Sequence, residues 1–506
     1  SKFDWKYRNA GDDLTNPHPT FLNDPDNWKG TTINALTFHK NRLVFATDES
    51  VCMSETGDIW NFYRTTVTTL LDSDPIDVAT TSSKISILRE VISYEDNLVL
   101  LSDQSQFIAT GDPVLAPSTI SISTITNFET SKTAPPVIQG GSLFFPFTRG
   151  EASGLREWFS NDASNQTFST NDITAHVPNY IKGNITKVAA SPQENVILCL
   201  TDDRSDTLYC FNYFETGQGR EQFAWSKYTF PGLVLHSVDF IADKAYLYHS
   251  SKTRTSSETK YISGISALNF QPNRIDNNLN TQVKLDRKMA HNHTGLAVAY
   301  ISASDLTLIQ LPYAFTVDDS YQVGGPHPPL DVAPRNTYKI VSSTTGEEAA
   351  IDSYASGNLI YLKGDWSATS PDTDRREWFI GENYNMEYTF SKPLFKAPGS
   401  SGSNMVVVQG RHQLRYGSIL FGNSGPFTVE VTQEDGTKYE HVFSGKILGS
   451  NETVLGTMQL SSGEFTFPIF SESDSASIKV ISTSPIGPRL ESAEFEANYS
   501  SRSRRM

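Results

Sequence analysis

Three aspartates lie within six positions in the stretch TTLLDSDPIDV, at Asp72, Asp74 and Asp77. Carboxylates clustered in this way could bind a divalent cation, supply the two acids of a glycosidase, or shape a turn. The glycine and the distal glutamate of a calcium-binding loop are missing, and Asp74 precedes Pro75 in a dipeptide that initiates turns. The pattern favours a turn or an interface, with a cation site and a catalytic pair as the alternatives.

A second group with possible chemistry is the H-x-H pair formed by His291 and His293 in AHNHTG. On a β-strand the two side chains would share one face, as zinc ligands can. No cysteine or carboxylate motif completes such a site, so solvated loop histidines are the favoured interpretation.

The three cysteines, Cys52, Cys199 and Cys210, are too few and too scattered for a disulfide framework or a zinc site. We expect buried free thiols, since unpaired cysteine behaves as a small apolar residue. The sequence also contains no G-x-S-x-G, no Walker loop, no G-x-G-x-x-G and no H-E-x-x-H. It therefore predicts no catalytic residue, no cofactor-binding residue and no metal ligand.

The end of the sequence, YSSRSRRM, carries a small basic patch formed by Arg502, Arg504 and Arg505. Such a patch could contact DNA or the acidic surface of a partner. A solvated terminus is the favoured interpretation.

The elements that position these residues follow from composition and pattern. The chain has 506 residues, 41 Lys and Arg against 57 Asp and Glu, and a net charge of −16, with 38% hydrophobic residues. This length predicts two to four domains, and the hydrophobic content is sufficient for each to bury a core. The acidic balance argues against a protein that binds nucleic acid through its phosphates, but not against a surface past which DNA slides. No run of 18 apolar residues and no signal peptide is present.

One unit recurs along the chain at a period of about 50 residues: an apolar strand, a polar turn, a second apolar strand and a more polar third strand. Its turns are HKN, YEDN, QGG, PQEN and IADK. This period is expected of β-propeller blades, and a series of β-sandwiches is the alternative. The five units are Ile33–Phe62, Ile85–Asp112, Pro135–Phe159, Ile185–Phe214 and Leu233–Ile265, with further units expected in Leu296–Leu311 and Ala349–Ile380.

The predicted fold class is therefore all-β, with a β-propeller-like domain over residues 31–380 followed by a C-terminal β-sandwich over residues 381–506. The proline-rich stretch Pro326–Pro334 is expected to be a stiff connector or an extended arm. The sandwich is predicted because alternating strands with hairpin turns (EDGT, SSGE) replace the repeat after about Gly381.

Several stretches together resemble a known family. RLVF, SETGDIWNF, TTLLDSDPID, LLSDQSQF and LFFPFTRGEASGLREWF, then GENYNMEYTFSKP, GRHQLRYGSILFGNSGPFTVEV and the terminal SRSRRM, are similar to the tail tubular protein B family. This family forms the tail nozzle of short-tailed double-stranded DNA phages. The likeness covers most of Ile33 to Met506, and the combination of pieces is specific.

The resemblance implies a structural virion protein in the tail, assembled in the host cytoplasm, and not an enzyme. Six copies would form a nozzle below the adaptor ring, tail tubular protein A, with tail fibres near the junction and the host envelope at the tip. Genomic DNA would be retained until infection and would then pass through the channel without sequence-specific binding. Residues 1–30 would lead in from an N-terminal platform, and residues 381–506 would form the nozzle tip or a fastener. The aspartates would mark a strand-to-strand crossover.

Two expectations follow for the channel. Acidic residues should concentrate on its wall, because DNA must not adhere to it. The polar stretches Ser251–Lys260 and Gly399–Asn404 should form flexible loops and are candidates for a movable gate. The alternative functions are a tail-associated glycan hydrolase and a glycan-binding protein acting on the host envelope.

Overall fold

The computed structural model describes residues 19–21, 31–66, 68–81, 86–162, 167–216, 219–254, 259–270, 275–276, 282–315, 337–355, 357–394, 396–398, 404–406, 410–445, 458 and 460–500. In these residues the chain is all-β, with antiparallel sheets, one short 3₁₀ helix at Thr373–Arg375 and no α-helix. The same residues contain no helix that is long and apolar enough to cross a membrane. The all-β prediction is confirmed.

The chain forms two compact units, Ser1–Ser250 with Ser263–Phe270, and Ser251–Ile262 with Gln271–Met506. From Ile33 to Asn269 the strands form five antiparallel sheets in chain order. Sheet 1 contains β1 (Ile33–His39), β2 (Arg42–Thr47), β3 (Ser50–Met53) and β4 (Ile76–Ala79). Sheet 2 contains β5 (Leu88–Tyr94), β6 (Asn97–Ser102), β7 (Gln106–Gly111) and β8 (Ile120–Thr126). Sheet 3 contains β9 (Val137–Gln139), β10 (Ser142–Arg149), β11 (Ala152–Asp162) and β12 (Thr167–Asp172). Sheet 4 contains β13 (Ile185–Ala190), β14 (Val196–Thr201), β15 (Thr207–Thr216) and β16 (Gly219–Thr229). Sheet 5 contains β17 (Leu233–Ile241), β18 (Lys244–Arg254) and β19 (Thr259–Asn269).

The predicted hairpin turns lie between these strands. In HKN, Lys40 and Asn41 have φ values of 44° and 60°, and the flanking residues His39 and Arg42 are paired. Two consecutive left-handed residues make the tight turn whose twist matches that of the two strands. The residues of the turn itself therefore determine the hairpin that joins β1 to β2.

Each inner sheet is buried on both faces because successive side chains of a strand point to opposite sides. On β6, Leu98 and Leu100 pack in one core with sheet 1, whereas Val99 and Leu101 pack in another core with sheet 3. On β14, Ile197 and Cys199 pack towards sheet 3, and Leu198 packs towards sheet 5. Neighbouring sheets are therefore joined through shared hydrophobic clusters along the chain, and this explains the nearly continuous apolar runs NLVLLS and VILCLT.

The second unit begins with two sheets that share one hydrophobic cluster. Sheet 6 has the order β20 (Asp286–Ala290), β26 (Trp378–Glu382), β23 (Tyr338–Ser342), and sheet 7 has the order β21 (Ala297–Ile301), β22 (Leu306–Gln310), β25 (Leu359–Lys363), β24 (Ile351–Ala355). Further units were expected in Leu296–Leu311 and Ala349–Ile380, and these two segments together supply the four strands of sheet 7. Their hairpins join edge to edge, because β22 pairs with β25 to bury one face against sheet 6.

The last part of the chain forms two larger sheets and a small one. Sheet 8 has the order β27 (Met386–Thr389), β34 (Ser477–Ser482), β31 (Phe427–Thr432), β32 (Lys438–Phe443). Sheet 9 pairs β28 (Lys396–Pro398) with β29 (Asn404–Val406). Sheet 10 has the order β33 (Ser461–Glu472), β30 (Arg411–Ser424), β35 (Leu490–Ser500). Val429 and Val480 of sheet 8 share a core with Ile419 and Phe467 of sheet 10. The propeller and sandwich architectures stay predictions.

Candidate functional site

The aspartate cluster begins with a closed turn. The backbone N–H of Asp74 donates to the Leu71 carbonyl at 3.1 Å, and the Leu71 N–H donates to the Asp74 carboxylate at 2.9 Å. Asp74 is fully buried, whereas the side chain of Asp72 is exposed. Pro75 then leads directly into β4. The favoured interpretation of this stretch as a turn agrees with its geometry.

A buried arginine fixes that turn to the rest of sheets 1 and 2. Arg42 is 1% exposed, and its guanidinium donates to the carbonyl oxygens of Ser54 and Asp74 at 2.7 Å and of Asp72 at 2.8 Å. A longer contact of 3.5 Å reaches the Leu115 carbonyl. These oxygens lie 12 to 73 residues from Arg42 in the sequence. One guanidinium therefore holds several separate loops; we call Arg42, Ser54, Asp72 and Asp74 the Arg42 node.

Three of the sequence motifs meet at the Arg42 node. Arg42 opens RLVF, and Ser54 of SETGDIWNF accepts from the Leu43 N–H at 2.9 Å. Within the same motif, the Thr56 N–H donates to the carbonyl of Ser73 in the aspartate stretch at 3.0 Å. The three motifs therefore contact one another in the connection between β3 and β4.

The electrostatics of the node show what it can do chemically. Burial lowers the pKa of Arg42, and the nearby charges of Asp74 and Glu55 oppose that shift. The guanidinium is the positive group that these backbone carbonyl oxygens bind. Among the described residues, no group of three or more His, Cys, Asp or Glu could hold a metal ion. The carboxylates of Asp74 and Asp77 accept hydrogen bonds from Leu71 and Thr20.

Asp77 has a different task from the other two aspartates. Its carboxylate accepts from the backbone N–H of Thr20 at 2.7 Å and from the Thr20 hydroxyl at 2.8 Å. The adjacent Phe21 packs edge-on against Phe45 and Phe62, with ring centroids 5.1 and 5.0 Å apart. Asp77 therefore attaches the described segment 19–21 to sheet 1, and its carboxylate does not form a catalytic pair with Asp74.

The loops that Arg42 holds together also carry exposed apolar side chains. Trp60 is 74% exposed, and Leu70 and Leu71 are 44% and 41% exposed. The Trp60 N–H donates to the Asp58 carboxylate at 3.1 Å, so the turn that carries the indole is ordered by hydrogen bonds. Exposed tryptophan on an ordered turn is typical of residues that anchor protein interfaces.

The other candidate residues do not assemble into a site in the described structure. His291 and His293 lie in the turn after β20, and the His291 ring lies 6.2 Å from that of Trp378. This agrees with loop histidines, since the turn places no third ligand beside them in the described part of the chain.

The three cysteines are buried free thiols, as predicted. Burial raises the pKa of the Cys52 thiol to about 12, and the neighbouring Asp77 adds to that shift. Burial also raises the pKa of Cys210 to about 12 and that of Cys199 strongly. None of these thiols is therefore primed as a nucleophile.

The candidate gate loops fall partly in strands. Residues 251–254 end β18 and residues 259–260 begin β19, so the prediction of a loop is wrong at these positions, where pairing with the neighbouring strand extends further than the polar composition suggested. Residues 255–258 lie outside the described residues, as do residues 399–403, and Asn404 begins β29. Pro326–Pro334 and the arginines Arg502, Arg504 and Arg505 also lie outside them.

Sequence reasoning missed a buried charge cluster on sheet 6. Asp286 and Tyr338 both lie opposite Glu382, whose carboxylate accepts from the Tyr338 hydroxyl at 3.0 Å and from Arg287 at 3.2 Å. Burial raises the pKa of Asp286 to about 7, the charge of Glu382 adds to the shift, and Arg287 opposes it. No local signal could have found this cluster, because its members meet only through the order of the strands.

A second missed group is an ion pair between sheets 3 and 4. The Arg220 guanidinium donates to both carboxylate oxygens of Glu157, at 2.7 and 2.8 Å, and stacks over the Tyr213 ring at 4.3 Å. Such a bidentate and stacked guanidinium is a strong and geometrically specific contact. It joins two sheets and leaves no open catalytic geometry.

Comparisons with known proteins agree with the motifs. The family model of the bacteriophage nozzle protein matches residues 1–506. A curated relative, the tail tubular protein gp12 of Escherichia phage T7, is 25% identical over 501 residues, which is 99% of this chain and 59% of the relative. The chain thus spans less than two thirds of the relative that it matches. The resemblance that the motifs indicated is confirmed.

Solved structures give only weak likenesses. The N-terminal domain of Nup159 has a TM-score of 0.28 at 11% identity, over 69% of this chain and 89% of that one. An exo-beta-1,3-galactanase from Phanerochaete chrysosporium has a TM-score of 0.19 at 11% identity, over 94% and 98% of the two chains. Likenesses of this size bear on neither fold nor function.

Proposed function

This chain belongs to the bacteriophage nozzle protein family, and on that premise we propose that six copies form the tail nozzle through which DNA leaves the virion. The family and the curated relative make it a structural component of the phage tail. The nozzle continues the channel below the adaptor ring, retains the genome until infection and then lets it pass without sequence-specific binding. It is assembled in the host cytoplasm, carries fibres near its junction with the adaptor, and meets the host envelope at its tip.

The observation that carries this proposal is the Arg42 node. The family motifs meet there around a buried arginine, Arg42, which donates hydrogen bonds to three backbone carbonyl oxygens. The Asp74 carboxylate of the same turn accepts from the Leu71 N–H. Motifs that build an enzyme site leave a reactive group open to a substrate. These motifs build a rigid joint, which is what a structural wall requires, and we propose that the chain is not an enzyme.

The architecture of the described sheets supports a propeller and a sandwich. Five sheets in chain order share hydrophobic clusters with their neighbours, as the blades of a propeller do. Sheets 8 and 10 share a single cluster, as the layers of a sandwich do. We therefore propose the propeller-like domain over residues 31–380 and the sandwich over residues 381–506 as nozzle tip or fastener. Residues 1–30 lead in from a platform that contacts the adaptor.

A ring of identical copies needs two different surfaces that fit each other and close at six. The exposed side chains of Trp60, Leu70 and Leu71 are proposed to contribute to one such surface, since large exposed apolar side chains gain much by burial. The channel wall is acidic, in keeping with a net charge of −16.

The experiment that tests this function is the mass of the purified chain by light scattering, with and without the adaptor ring, together with negative-stain images. We expect six-fold rings with a central hole, formed alone or on the adaptor. Trp60→Ala should weaken ring formation, whereas the control Tyr439→Ala removes an aromatic that is 48% exposed on β32 and should not. A persistent monomer that ignores the adaptor would overturn the proposal.

A further inference from the structure

The outer face of sheet 10 carries a shallow groove. Ser418 on the central strand β30 lies opposite Thr466 on β33 and Glu494 on β35, and Tyr416 lies opposite Glu496. The Ser418 and Thr466 hydroxyls are hydrogen-bonded at 3.0 Å. The groove has a volume of about 450 Å³ and is lined by Tyr416, Ser418, Thr466, Glu494, Phe495 and Glu496.

The groove carries negative charge that its surroundings neutralise only in part. Glu494 and Glu496 are two positions apart on β35, so both carboxylates are on the same face of the sheet. Arg415 lies 3.5 Å from the Glu496 carboxylate, but both side chains are largely exposed and such pairs are weak. In the described part of the chain, no lysine or arginine forms a salt bridge with Glu494. A cationic occupant would therefore be stabilised here.

The strand that carries these glutamates is an edge strand. In the order β33, β30, β35, the last strand pairs with β30 on one side, and no described strand pairs with its other side. An edge of this kind presents alternate backbone N–H and C=O groups to an added strand. The groove and the edge therefore offer side-chain and backbone contacts to the same extended segment.

The sequence contains a segment of matching charge and spacing. Residues 501–506, SRSRRM, follow the end of β35 at Ser500 and carry three arginines. In an extended strand, Arg502 and Arg504 share one face about 7 Å apart. Glu494 and Glu496 have the same spacing on β35, so each arginine can face one glutamate across a strand pair.

We propose that the free edge of β35 accepts residues 501–506 of a second copy of this chain as an added strand, with Arg502 and Arg504 over Glu494 and Glu496. The proposal rests on the assembly of copies proposed above. It makes the groove a guanidinium-binding site and makes neighbouring subunits exchange their C-terminal segments.

A tight hairpin of the same copy would not bring these arginines level with the groove. β35 continues to Ser500, which pairs with Arg411, so the chain can reverse only after that residue. In a two-residue hairpin, Arg504 would then lie opposite Tyr499, and Arg505 opposite Asn498. Neither arginine would come level with Glu496, and a second copy is the occupant that fits.

The chain already contains one contact of the proposed kind. Arg220 binds Glu157 through both carboxylate oxygens and stacks over Tyr213 at 4.3 Å. In the groove, the Tyr416 ring lies beside two carboxylates, is supported edge-on by Phe470 at 5.3 Å, and is approached by the chain's own Arg415 guanidinium only at 5.9 Å. A planar guanidinium uses both features, whereas a lysine ammonium lacks the fork and the flat face.

The test measures binding of a fluorescent peptide, NYSSRSRRM, to a chain that ends at Ser500, by anisotropy at low salt. We expect saturable binding that weakens as salt is added. Glu494→Lys with Glu496→Lys should weaken it about tenfold or more, because two attractions become repulsions. Binding should return when the same receptor meets a peptide with Arg502→Glu and Arg504→Glu. The control receptor, Glu434→Lys with Glu440→Lys, changes two exposed carboxylates elsewhere in the same region and should bind like the parent.

Backbone pairing is tested with two peptides methylated on the amide of Ser503 or of Arg504. Only alternate N–H groups face a neighbouring strand, so one methylation should weaken binding and the other should not. Equal binding by both methylated peptides, or equal binding by the parent and the charge-reversed receptor, would overturn the proposal. A groove that binds a neutral oligosaccharide through Tyr416 and ignores the peptide would overturn it as well.

Failure of this inference is distinct from failure of the proposed function. Peptide binding is measured on the truncated chain, whether or not that chain assembles. Rings formed by the full chain together with no peptide binding would reject the strand exchange alone. Absence of rings from the full chain on its adaptor would reject the nozzle.

Discussion

Replacement of Arg42 by methionine should destabilise the first two sheets more than any other exchange of a single charged residue there. Methionine has a similar length and is apolar, so it fills the volume without donating hydrogen bonds. Three carbonyl oxygens that now accept at 2.7–2.8 Å would lose their donor. The buried carboxylate of Asp74 would lose the nearby positive charge that opposes its own burial.

The magnitude follows from those losses. A buried acceptor left without a donor costs about 1–3 kcal/mol, and removal of one partner from a buried charged group typically costs about 3–5 kcal/mol in total. Because the loops can relax, we expect the free energy of unfolding to fall by about 3–5 kcal/mol rather than by the full sum. For a unit of this size that corresponds to a melting temperature about 10 °C lower. Arg42→Lys keeps the charge but loses the planar fork, and should fall between the parent and Arg42→Met.

The assay is thermal and urea unfolding of the full chain, together with hydrogen exchange in the segments 54–62 and 70–77. Both segments should exchange faster in Arg42→Met because the guanidinium no longer joins their loops. The matched control is Arg89→Met on β5, whose side chain is 33% exposed and pairs with Asp103 at 2.8 Å. This pair is bidentate but only partly buried, so its loss should cost about 1–2 kcal/mol, less than the loss of the fully buried Arg42 contacts.

Two results would refute the reasoning. Equal loss of stability in Arg42→Met and Arg89→Met would show that the buried carbonyl contacts contribute no more than a surface pair. Unchanged exchange in the segments 54–62 and 70–77 would show that Arg42 does not hold those loops together.

Three further predictions concern other buried groups. Because burial raises the pKa of Asp286 to about 7, the folded chain keeps a proton that the unfolded chain releases near pH 4, so stability falls as the pH rises between these values. The melting temperature of Asp286→Asn should therefore be higher than that of the parent at pH 8 and equal to it at pH 4. The exposed control Asp352→Asn should have the melting temperature of the parent at both pH values. A parent whose stability does not change with pH would contradict this prediction. The thiols of Cys52, Cys199 and Cys210 should resist alkylation by iodoacetamide at pH 8 in the folded chain, since burial raises all three pKa values. All three should react fully in denaturant. Fast labelling of the folded chain would contradict this prediction. Arg220→Lys should lower the free energy of unfolding, measured in urea, by about 1–2 kcal/mol, because lysine cannot bind Glu157 through two parallel hydrogen bonds. The control Arg204→Lys, at a more exposed arginine, should change the free energy of unfolding little. Equal effects of the two substitutions would argue against the bidentate contact.

The local part of the fold could be predicted because local chemistry decides it. The turn HKN is determined by residues that tolerate positive φ, and the alternation in β6 and β14 is determined by strand geometry. The aspartate stretch was also interpretable, since Asp74 and Pro75 belong to a local turn.

The partners of buried charges could not be predicted in this way. Arg42 looks in sequence like any strand-end arginine, and its acceptors are carbonyl oxygens, which every residue carries. Asp286 and Glu382 are brought side by side by the strand order β20, β26, β23, which skips intervening strands. The pairing of β22 with β25, which joins the hairpins of Leu296–Leu311 and Ala349–Ile380 in one sheet, could not be predicted for the same reason.

The alternation on β6 and β14 also has a mechanical consequence. Every inner sheet interlocks with the sheet before it and the sheet after it, so a shearing load has no smooth plane along which to slip. Side chains packed at interior density resist compression, and a push on one sheet is passed on to the next. A wall made in this way stiffens with each added sheet, and it should yield by losing several neighbouring sheets at once rather than by peeling away one strand.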